Sequence, residues 1–240
     1  MECDQGHAAR PGRRPRRDRQ GQSFVCQCGR VDRQDRRSVA RSAGTLWQLE
    51  QRLSAFNRWC KAGLFQTIME KLQDPDLGVL LLDSTIIRAH QHAAGAEGSC
   101  PQAEALGRSR GGFSTKIHVA CDGLGKPVKI ILTPGQEHDI TQGPALIAGS
   151  DAEKIIADRG YDSDAFIADI ESRHAEPVIP PRSNRLEERS YDTEEYKKRN
   201  VVERFLSVLK QCRRVATRYE KTARNFLAVV ALASTFVLLN

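Results

Sequence analysis

Three acidic residues far apart in the chain have the types and settings that phosphoryl-transfer chemistry requires. Asp83 and Asp158 each close a short apolar run of strand type, and Glu203 lies in a segment of helical periodicity. Because ligands of open α/β sheets gather at strand ends, we expect the three carboxylates to converge there. Their negative charges then require a cation, and a hard divalent ion such as Mg²⁺ is the natural partner of carboxylate oxygens.

Two such ions about 4 Å apart clamp the attacking and leaving oxygens of an in-line phosphoryl displacement. In this hypothesis Asp83 bridges both metal ions, while Asp158 and Glu203 bind one each, with Mn²⁺ as a substitute for Mg²⁺. The structural alternatives are a helix cap for Asp83 and a turn before Gly160 for Asp158. The interpretation that all three acids have only structural roles, in this order of elements, is the weaker one.

The segment 196–210 predicts a long amphipathic helix without Pro or Gly. Four apolar residues recur at steps of three and four and predict a core-facing stripe: Val202, Phe205, Leu206 and Leu209. Four polar residues share one narrow arc beside that stripe, at about 100° per residue: Tyr196, Arg199, Glu203 and Lys210. The alternative to a catalytic Glu203 is a surface ion-pair ladder of Arg199, Glu203 and Lys210.

The remaining pattern predicts an α/β fold that positions these residues. Strand-like runs occur at 78–83, 113–120, 127–133, 154–157 and 177–179, and Asp83 falls at or near the end of the first. Asp122-Gly123 marks a hairpin turn between the second and third runs. The order predicts a mixed sheet of three antiparallel strands followed by two parallel strands, with flanking helices.

Helical patterns cover 46–72, with a break at Gly63, and then 139–147, 164–173, 196–210 and 222 to the end. Asp139 or Thr141 is expected to cap the second of these helices. His118 is interpreted as an ordinary strand residue. His90 and His92 form a loop pair without a carboxylate partner and are expected to be inert.

Composition fits a soluble globular protein: of 240 residues, 40% are hydrophobic and 28% are charged. The net charge of +7 comes largely from the Arg-rich residues 1–41. A second basic cluster in 196–224 surrounds the predicted catalytic helix, where a polyanion would need neutralising. The longest apolar run, 226–239, is too short to span a bilayer, so no membrane partner is expected.

Several sequence words resemble one enzyme family. They are LLLDSTIIRAH at 80–90, GGFSTKIHVACDGLGKPV at 111–128, GQEHDI at 135–140, IIADRGYDSDAF at 155–166, and the spaced set Tyr196, Arg199, Glu203 and Lys210. Together they resemble the DDE transposases of bacterial insertion sequences, in the group with the YREK signature, across about 56–240. The resemblance implies a ribonuclease-H-like fold and Mg²⁺-dependent DNA cleavage and strand transfer at insertion-sequence ends.

By position, the resemblance makes Asp83, Asp158 and Glu203 the metal-binding catalytic triad. DNA phosphate contacts are expected from the helix that carries Glu203: Tyr196, Lys197, Lys198, Arg199, Arg204 and Lys210. His138 and Asp139 belong to a family-like word and are interpreted as a structural turn. The expected partner is double-stranded DNA, bound by a homodimer in the bacterial cytoplasm at the nucleoid.

The N-terminal residues do not resemble the family, so we predict three parts: a disordered or non-family segment 1–55, a helical remnant of a DNA-binding region 56–77, and a catalytic domain 78–240. Residues 46–55 can be encoded so that translation one base later gives FGNWNSVYQR, which is family-like. We therefore hypothesise that residues up to about 55 are translated out of frame. The alternatives to a transposase are a nuclease without strand transfer and an inactive DNA-binding remnant.

Overall fold

A mixed β-sheet with helices on both faces forms the centre of the protein. It is seen in a computed structural model that describes residues 33–73, 75, 78–96, 98–100, 103–109, 111–183, 185 and 189–239, with side chains from residue 47 onward except residue 109. The strands in these ranges are β1 Val79–Ala89, β2 Gly107–Ser109, β3 Gly112–Asp122, β4 Pro127–Pro134, β5 Lys154–Ile156, β6 Glu176–Val178 and β7 Thr217–Arg218.

The sheet has the predicted order of pairing. β4, β3 and β1 are antiparallel neighbours, and β5 and β6 continue the sheet in parallel beyond β1. The short strands β2 and β7 extend the edges of β3 and β1. The predicted mixed sheet of three antiparallel and two parallel strands with flanking helices is therefore confirmed.

The helices within the described ranges are α1 Arg33–Lys61, α2 Leu64–Leu72, α3 Gly143–Ile147, α4 Asp164–Ser172, α5 Thr193–Tyr196, α6 Asn200–Gln211, α7 Arg213–Ala216 and α8 Ala223–Leu238. None of these helices is long and apolar enough to cross a membrane. The chain divides into two units, Met1–Leu49 and Glu50–Asn240, and the sheet and all the site residues belong to the second.

The first two helices confirm the predicted break at Gly63, and α1 extends into the segment predicted to be disordered. Gly63 separates α1 from α2 in a left-handed conformation with φ of 65°, which glycine adopts without steric cost. The helix α1 begins at Arg33, within the segment for which the sequence predicts no regular structure. The rest of that prediction, for 1–32, lies outside the described residues, and the boundaries at 55 and 77 stay predictions.

The sheet separates two hydrophobic cores, and β1 contributes to both because its side chains alternate. Leu80 and Leu82 pack with residues of α3 and α4, whereas Leu81 and Ile87 pack with residues of α6 and α8. The predicted apolar stripe of α6 is buried in the second core throughout. This burial fixes the face of α6 that its polar residues can present.

The strand β1 is longer than the sequence predicted, and Asp83 lies near its middle instead of at its end. The apolar run stops at Leu82, but pairing with β3 continues to Arg88. Pairing with β5 covers only residues 79–81. Asp83 therefore lies just beyond the end of the parallel part of the sheet, which is the position that the sequence argument required.

Phe226 of α8 provides a test of the second core. It is 0% exposed, whereas Phe236 on the same helix is 60% exposed. We expect Phe226→Ala to lower the free energy of unfolding by about 3–5 kcal/mol, because it removes a buried ring and leaves a cavity. Phe236→Ala is the matched control and should cost under about 1 kcal/mol. Urea unfolding measures both, and similar losses for the two variants would contradict this packing.

Candidate active site

Asp83 is a buried carboxylate on the sheet face covered by α6. Its side chain is 12% exposed, and its Oδ1 accepts hydrogen bonds from the backbone N–H of Ser84 at 2.9 Å and from Arg199 Nη2 at 3.0 Å. Burial raises the pKa of Asp83, the Arg199 guanidinium lowers it in part, and the negative charge of Asp158 adds to the rise. Ionised Asp83 is therefore a group that favours a nearby cation.

Arg199 joins two members of the predicted triad. One guanidinium nitrogen, Nη2, donates to Asp83, and the other, Nη1, donates to Oε1 of Glu203. The segment that carries both residues is helical throughout, but residues 197–199 form a tighter 3-10 turn between α5 and α6. Asp83 and Glu203 thus bind the same guanidinium although they are 120 positions apart in the sequence.

Asp158 follows β5 and caps the 3-10 helix Arg159–Tyr161 through its Oδ1, which accepts from Gly160 N at 2.9 Å. Asp158 therefore does stabilise the turn at Gly160, as the structural alternative predicted. It leaves the carboxylate half-buried and close enough to Asp83 and Tyr196 for its charge to raise their pKa values, burial being the larger cause in both. The structure thus brings all three predicted acids into one electrostatic neighbourhood.

Buried ion pairs hold the turn that carries Asp158. The Asp162 side chain is 1% exposed and pairs with Arg185 and Arg189 from the loop that follows β6. From the same loop, Arg182 Nη2 donates to the carbonyl of Gly160 at 2.9 Å. Sequence reasoning predicted this loop as polar and missed these contacts, because they join segments about 20 residues apart without any local pattern.

Asp139 does not cap its helix, and the prediction that Asp139 or Thr141 does so is wrong. The residue at the cap position is His138, which makes no side-chain cap hydrogen bond, and Thr141 donates to its carbonyl. Asp139 Oδ1 instead accepts from Ser84 Oγ at 2.7 Å and from Lys116 Nζ at 2.8 Å. These partners lie on β1 and β3.

The Asp139 carboxylate stays ionised in this setting. Burial alone would raise its pKa, but the hydrogen bonds from Lys116 and Ser84 outweigh burial and hold the pKa below its ordinary value. Lys116 also donates to the carbonyl of Glu137 at 2.6 Å. A fourth negative charge is therefore fixed beside Asp83 and Asp158, on the opposite side of β1.

Tyr161 also belongs to this neighbourhood, although the sequence analysis did not single it out. It is 0% exposed, and its hydroxyl has no hydrogen-bond partner among the described residues. Burial raises its pKa above the ordinary value, and the charges of Asp139, Asp158 and Asp83 raise it further. A buried hydroxyl therefore feels the charge of three carboxylates and donates a hydrogen bond to none of them.

The carboxylates of Asp83, Asp158 and Glu203 are chemically suited to a hard divalent ion, but in this structure they are not arranged around a common point. Carboxylate oxygens are the ligands that Mg²⁺ prefers. Within the described ranges, however, no three His, Cys, Asp or Glu side chains stand close enough together to hold a metal ion. The physical reason lies in the contacts, because Asp83 and Glu203 both turn to Arg199. The Arg199 guanidinium thus supplies the positive charge between Asp83 and Glu203 in this structure.

The residues predicted to contact DNA divide into two groups. Lys197, Lys198, Arg204 and Lys210 are exposed. Lys197 and Lys198 pair with Glu194 and Glu195 one turn earlier, an arrangement that contributes little in water. Tyr196 is half-buried with its ring edge-on to Tyr191, and Arg199 is held by the acids. A phosphate contact by Arg199 would compete with Asp83 and Glu203 for its guanidinium.

Comparison with known proteins decides the family. The model of the family described as the transposase DDE domain matches residues 74–238. The chain belongs to this DDE transposase family. The match covers every predicted site residue, and it leaves 1–73 unmatched, so translation of the N-terminus out of frame stays a prediction.

Individual relatives of this DDE domain carry transposase names. A Brucella ovis protein named as a transposase for insertion sequence element IS6501 is 36% identical over 129 residues, which cover 52% of this chain and 98% of the relative. A Burkholderia cepacia protein named for element IS402 is 32% identical over 121 residues, 45% of this chain and 55% of the relative. A piggyBac transposase complex with hairpin DNA has a TM-score of 0.42 and 16% identity, covering 68% of this chain and 47% of the other.

His118 gives the DDE domain a testable pH dependence. Its side chain is 0% exposed beside Asp139 and Lys116, and burial lowers its pKa to about 4, with Asp139 opposing and Lys116 adding to the shift. Between pH 6.5 and 4 the unfolded chain binds a proton that the folded protein refuses, so stability falls as the pH falls.

We expect wild-type protein to lose up to about 3 kcal/mol more than His118→Gln across that range. Urea unfolding at both pH values measures the difference. The glutamine amide keeps a hydrogen-bonding group near Thr133, the partner of His118 Nε2 at 2.8 Å. Equal pH dependence in the two proteins would show that His118 is not held neutral by the fold.

Proposed function

We propose that this DDE transposase cleaves DNA at insertion-sequence ends and joins them to target DNA with Mg²⁺, in the manner of the YREK group. The observation that carries the proposal is the meeting of Asp83 and Glu203 at one guanidinium with Asp158 beside them. Acids from a strand, a turn and a helix have no packing reason to share a site. Their mutual repulsion is tolerated where a cation offsets it.

Asp83, Asp158 and Glu203 are the residues that would hold the divalent ions. When bound, the ions polarise the phosphate and activate the attacking oxygen of an in-line displacement. The protein supplies position: β1 and the capped turn fix the two aspartates, and the buried stripe of α6 fixes Glu203. Burial of Asp83 keeps water from screening its charge, which strengthens its attraction for a cation.

Arg199 has two partners in this proposal. Without DNA its guanidinium offsets part of the negative charge of Asp83 and Glu203, a role supported by its hydrogen bonds to both. With DNA it turns to a phosphate, in line with the contact expected from the sequence, and leaves the acids to the metal ions. Arginine suits both roles, since its planar fork binds carboxylate and phosphate alike.

The basic cluster around α6 supplies the surface for double-stranded DNA. Lys197, Lys198, Arg204 and Lys210 are exposed on the segment that carries Glu203, so a phosphate backbone bound there passes the acids. Contacts of this kind position DNA without reading its sequence. A homodimer that pairs two ends is the assembly expected with this reaction.

Removing any one acid tests the proposal. We expect Asp83→Asn, Asp158→Asn and Glu203→Gln each to lower Mg²⁺-dependent cleavage of an insertion-end duplex by about 100-fold or more, because each loses a charge that holds the ions. The matched control is Glu176→Gln, since Glu176 is an acid at the sheet edge with a half-exposed side chain.

A gel assay that resolves nicked and joined products separates the possible outcomes. Joined products from wild-type protein support a transposase, whereas nicked products alone indicate a nuclease without strand transfer. A wild-type chain that neither nicks nor joins, and that Glu203→Gln leaves unchanged, is the inactive DNA-binding remnant. Equal activity of Glu203→Gln and Glu176→Gln would remove Glu203 from the site.

The DNA surface predicts a change in salt dependence. Each lysine that neutralises a phosphate contributes about 1 to the slope of log K against log salt, so Lys210→Ala should reduce that slope by about 1. Lys129→Ala is the control, because Lys129 lies on β4 with its Nζ directed to the carbonyl of Ala148. Fluorescence anisotropy at several salt concentrations measures both slopes, and equal slopes would place DNA elsewhere.

A further inference from the structure

The Asp139 carboxylate uses only one of its two oxygens for the contacts described above. Ser84 and Lys116 both donate to Oδ1, and the Nδ1 atom of His118 lies 3.9 Å from that same oxygen. No described residue donates to Oδ2. A turn or a packing role would be satisfied by Oδ1 alone, so the position of Oδ2 matters.

Oδ2 of Asp139 and the carboxylate of Asp158 both lie next to Gly160. A Cβ atom placed on Gly160 would lie 3.4 Å from Oδ2 of Asp139 and 2.9 and 3.5 Å from the two carboxylate oxygens of Asp158. One small volume is therefore bordered by oxygens of both aspartates, and the glycine leaves it open. Ionised carboxylates that border one small volume repel each other, and a donor or a cation between them offsets that repulsion.

The Tyr161 hydroxyl is an independent sign that something binds there. It belongs to the same turn as Gly160, it is fully buried, and it has no partner among the described residues. The three aspartates act on it electrostatically. A buried hydroxyl without a partner costs about 1–3 kcal/mol, and an ordered water that bridges it to a carboxylate removes that cost.

We propose that Asp139 is a positioning residue of the acidic centre, which holds, together with the Tyr161 hydroxyl, a water molecule of the hydrated divalent ion at Asp158. This inference rests on the proposed function. Mg²⁺ releases its water reluctantly and usually keeps several water ligands. Such waters need acceptors behind them, and residues of this outer shell typically change metal affinity 10- to 100-fold.

The test is Mn²⁺ binding to the full chain in complex with an insertion-end duplex, measured by electron paramagnetic resonance with Mn²⁺ as the only divalent ion and corrected for the Mn²⁺ that the duplex binds alone. Asp139→Asn keeps an oxygen for Ser84 and Lys116 but replaces the free oxygen with an amide. We expect its dissociation constant for Mn²⁺ to rise about 10- to 100-fold. Asp169→Asn in α4 is the matched control and should leave Mn²⁺ binding unchanged, because Asp169 pairs with Arg173 on the helix surface.

Tyr161→Phe keeps the test decisive if Asp139→Asn does not fold. If the buried hydroxyl binds nothing, Tyr161→Phe should melt at a higher temperature than wild type and bind Mn²⁺ equally well. That result overturns the inference. A bridging role predicts weaker Mn²⁺ binding by Tyr161→Phe, which supports it. Unchanged Mn²⁺ binding by folded Asp139→Asn also overturns it.

Asp83→Asn distinguishes this inference from the proposed function. Loss of Mn²⁺ binding in Asp83→Asn with unchanged binding in Asp139→Asn overturns the role of Asp139 alone. Unchanged binding in the Asp83→Asn complex, or no Mn²⁺ binding by the wild-type complex beyond that of the duplex alone, overturns both.

Discussion

Repulsion among carboxylates is the constraint around which this DDE domain is arranged. Asp83 is buried, and burial without a cation would neutralise it by protonation or destabilise the fold. The Arg199 guanidinium supplies the cation in this structure and connects Asp83 to Glu203. The same requirement explains why Lys116 stands beside Asp139 on the other side of β1. Asp83, Glu203 and Asp139 therefore each contact a cation, and Asp158 accepts a hydrogen bond from a backbone N–H.

The two hydrophobic cores place these charges. The α6 core orients Arg199 and Glu203 toward Asp83, because the buried stripe of α6 leaves only one direction for its polar arc. The opposite core contains Tyr161 and brings the turn after β5 next to Asp139. The strand β1 belongs to both cores and presents Asp83 to one and Ser84 to the other. The site is thus assembled from the two faces of one sheet where β5 ends.

Periodicity and turn signals were sufficient to predict the sheet, the hairpin and the buried stripe of α6, whereas the family was predicted from the resemblance of several sequence words. The length of β1 was not predictable, because three polar residues, Asp83 to Thr85, end the apolar run although pairing with β3 continues beyond them. The role of Asp139 was missed for a related reason. An acid at the start of a short helix resembles a cap, and nothing local in the sequence indicates its contacts with Ser84 and Lys116, more than 20 residues away.

The central claim is that the place now held by the Arg199 guanidinium is the place of the metal ions. Anomalous diffraction from crystals of the protein grown with Mn²⁺ and an insertion-end duplex tests it most directly. The account predicts an anomalous peak bounded by Asp83, Asp158 and Glu203, with Arg199 turned to a DNA phosphate. Ordered DNA with Arg199 still bound to Asp83 and Glu203, and no anomalous peak between the acids, would contradict it.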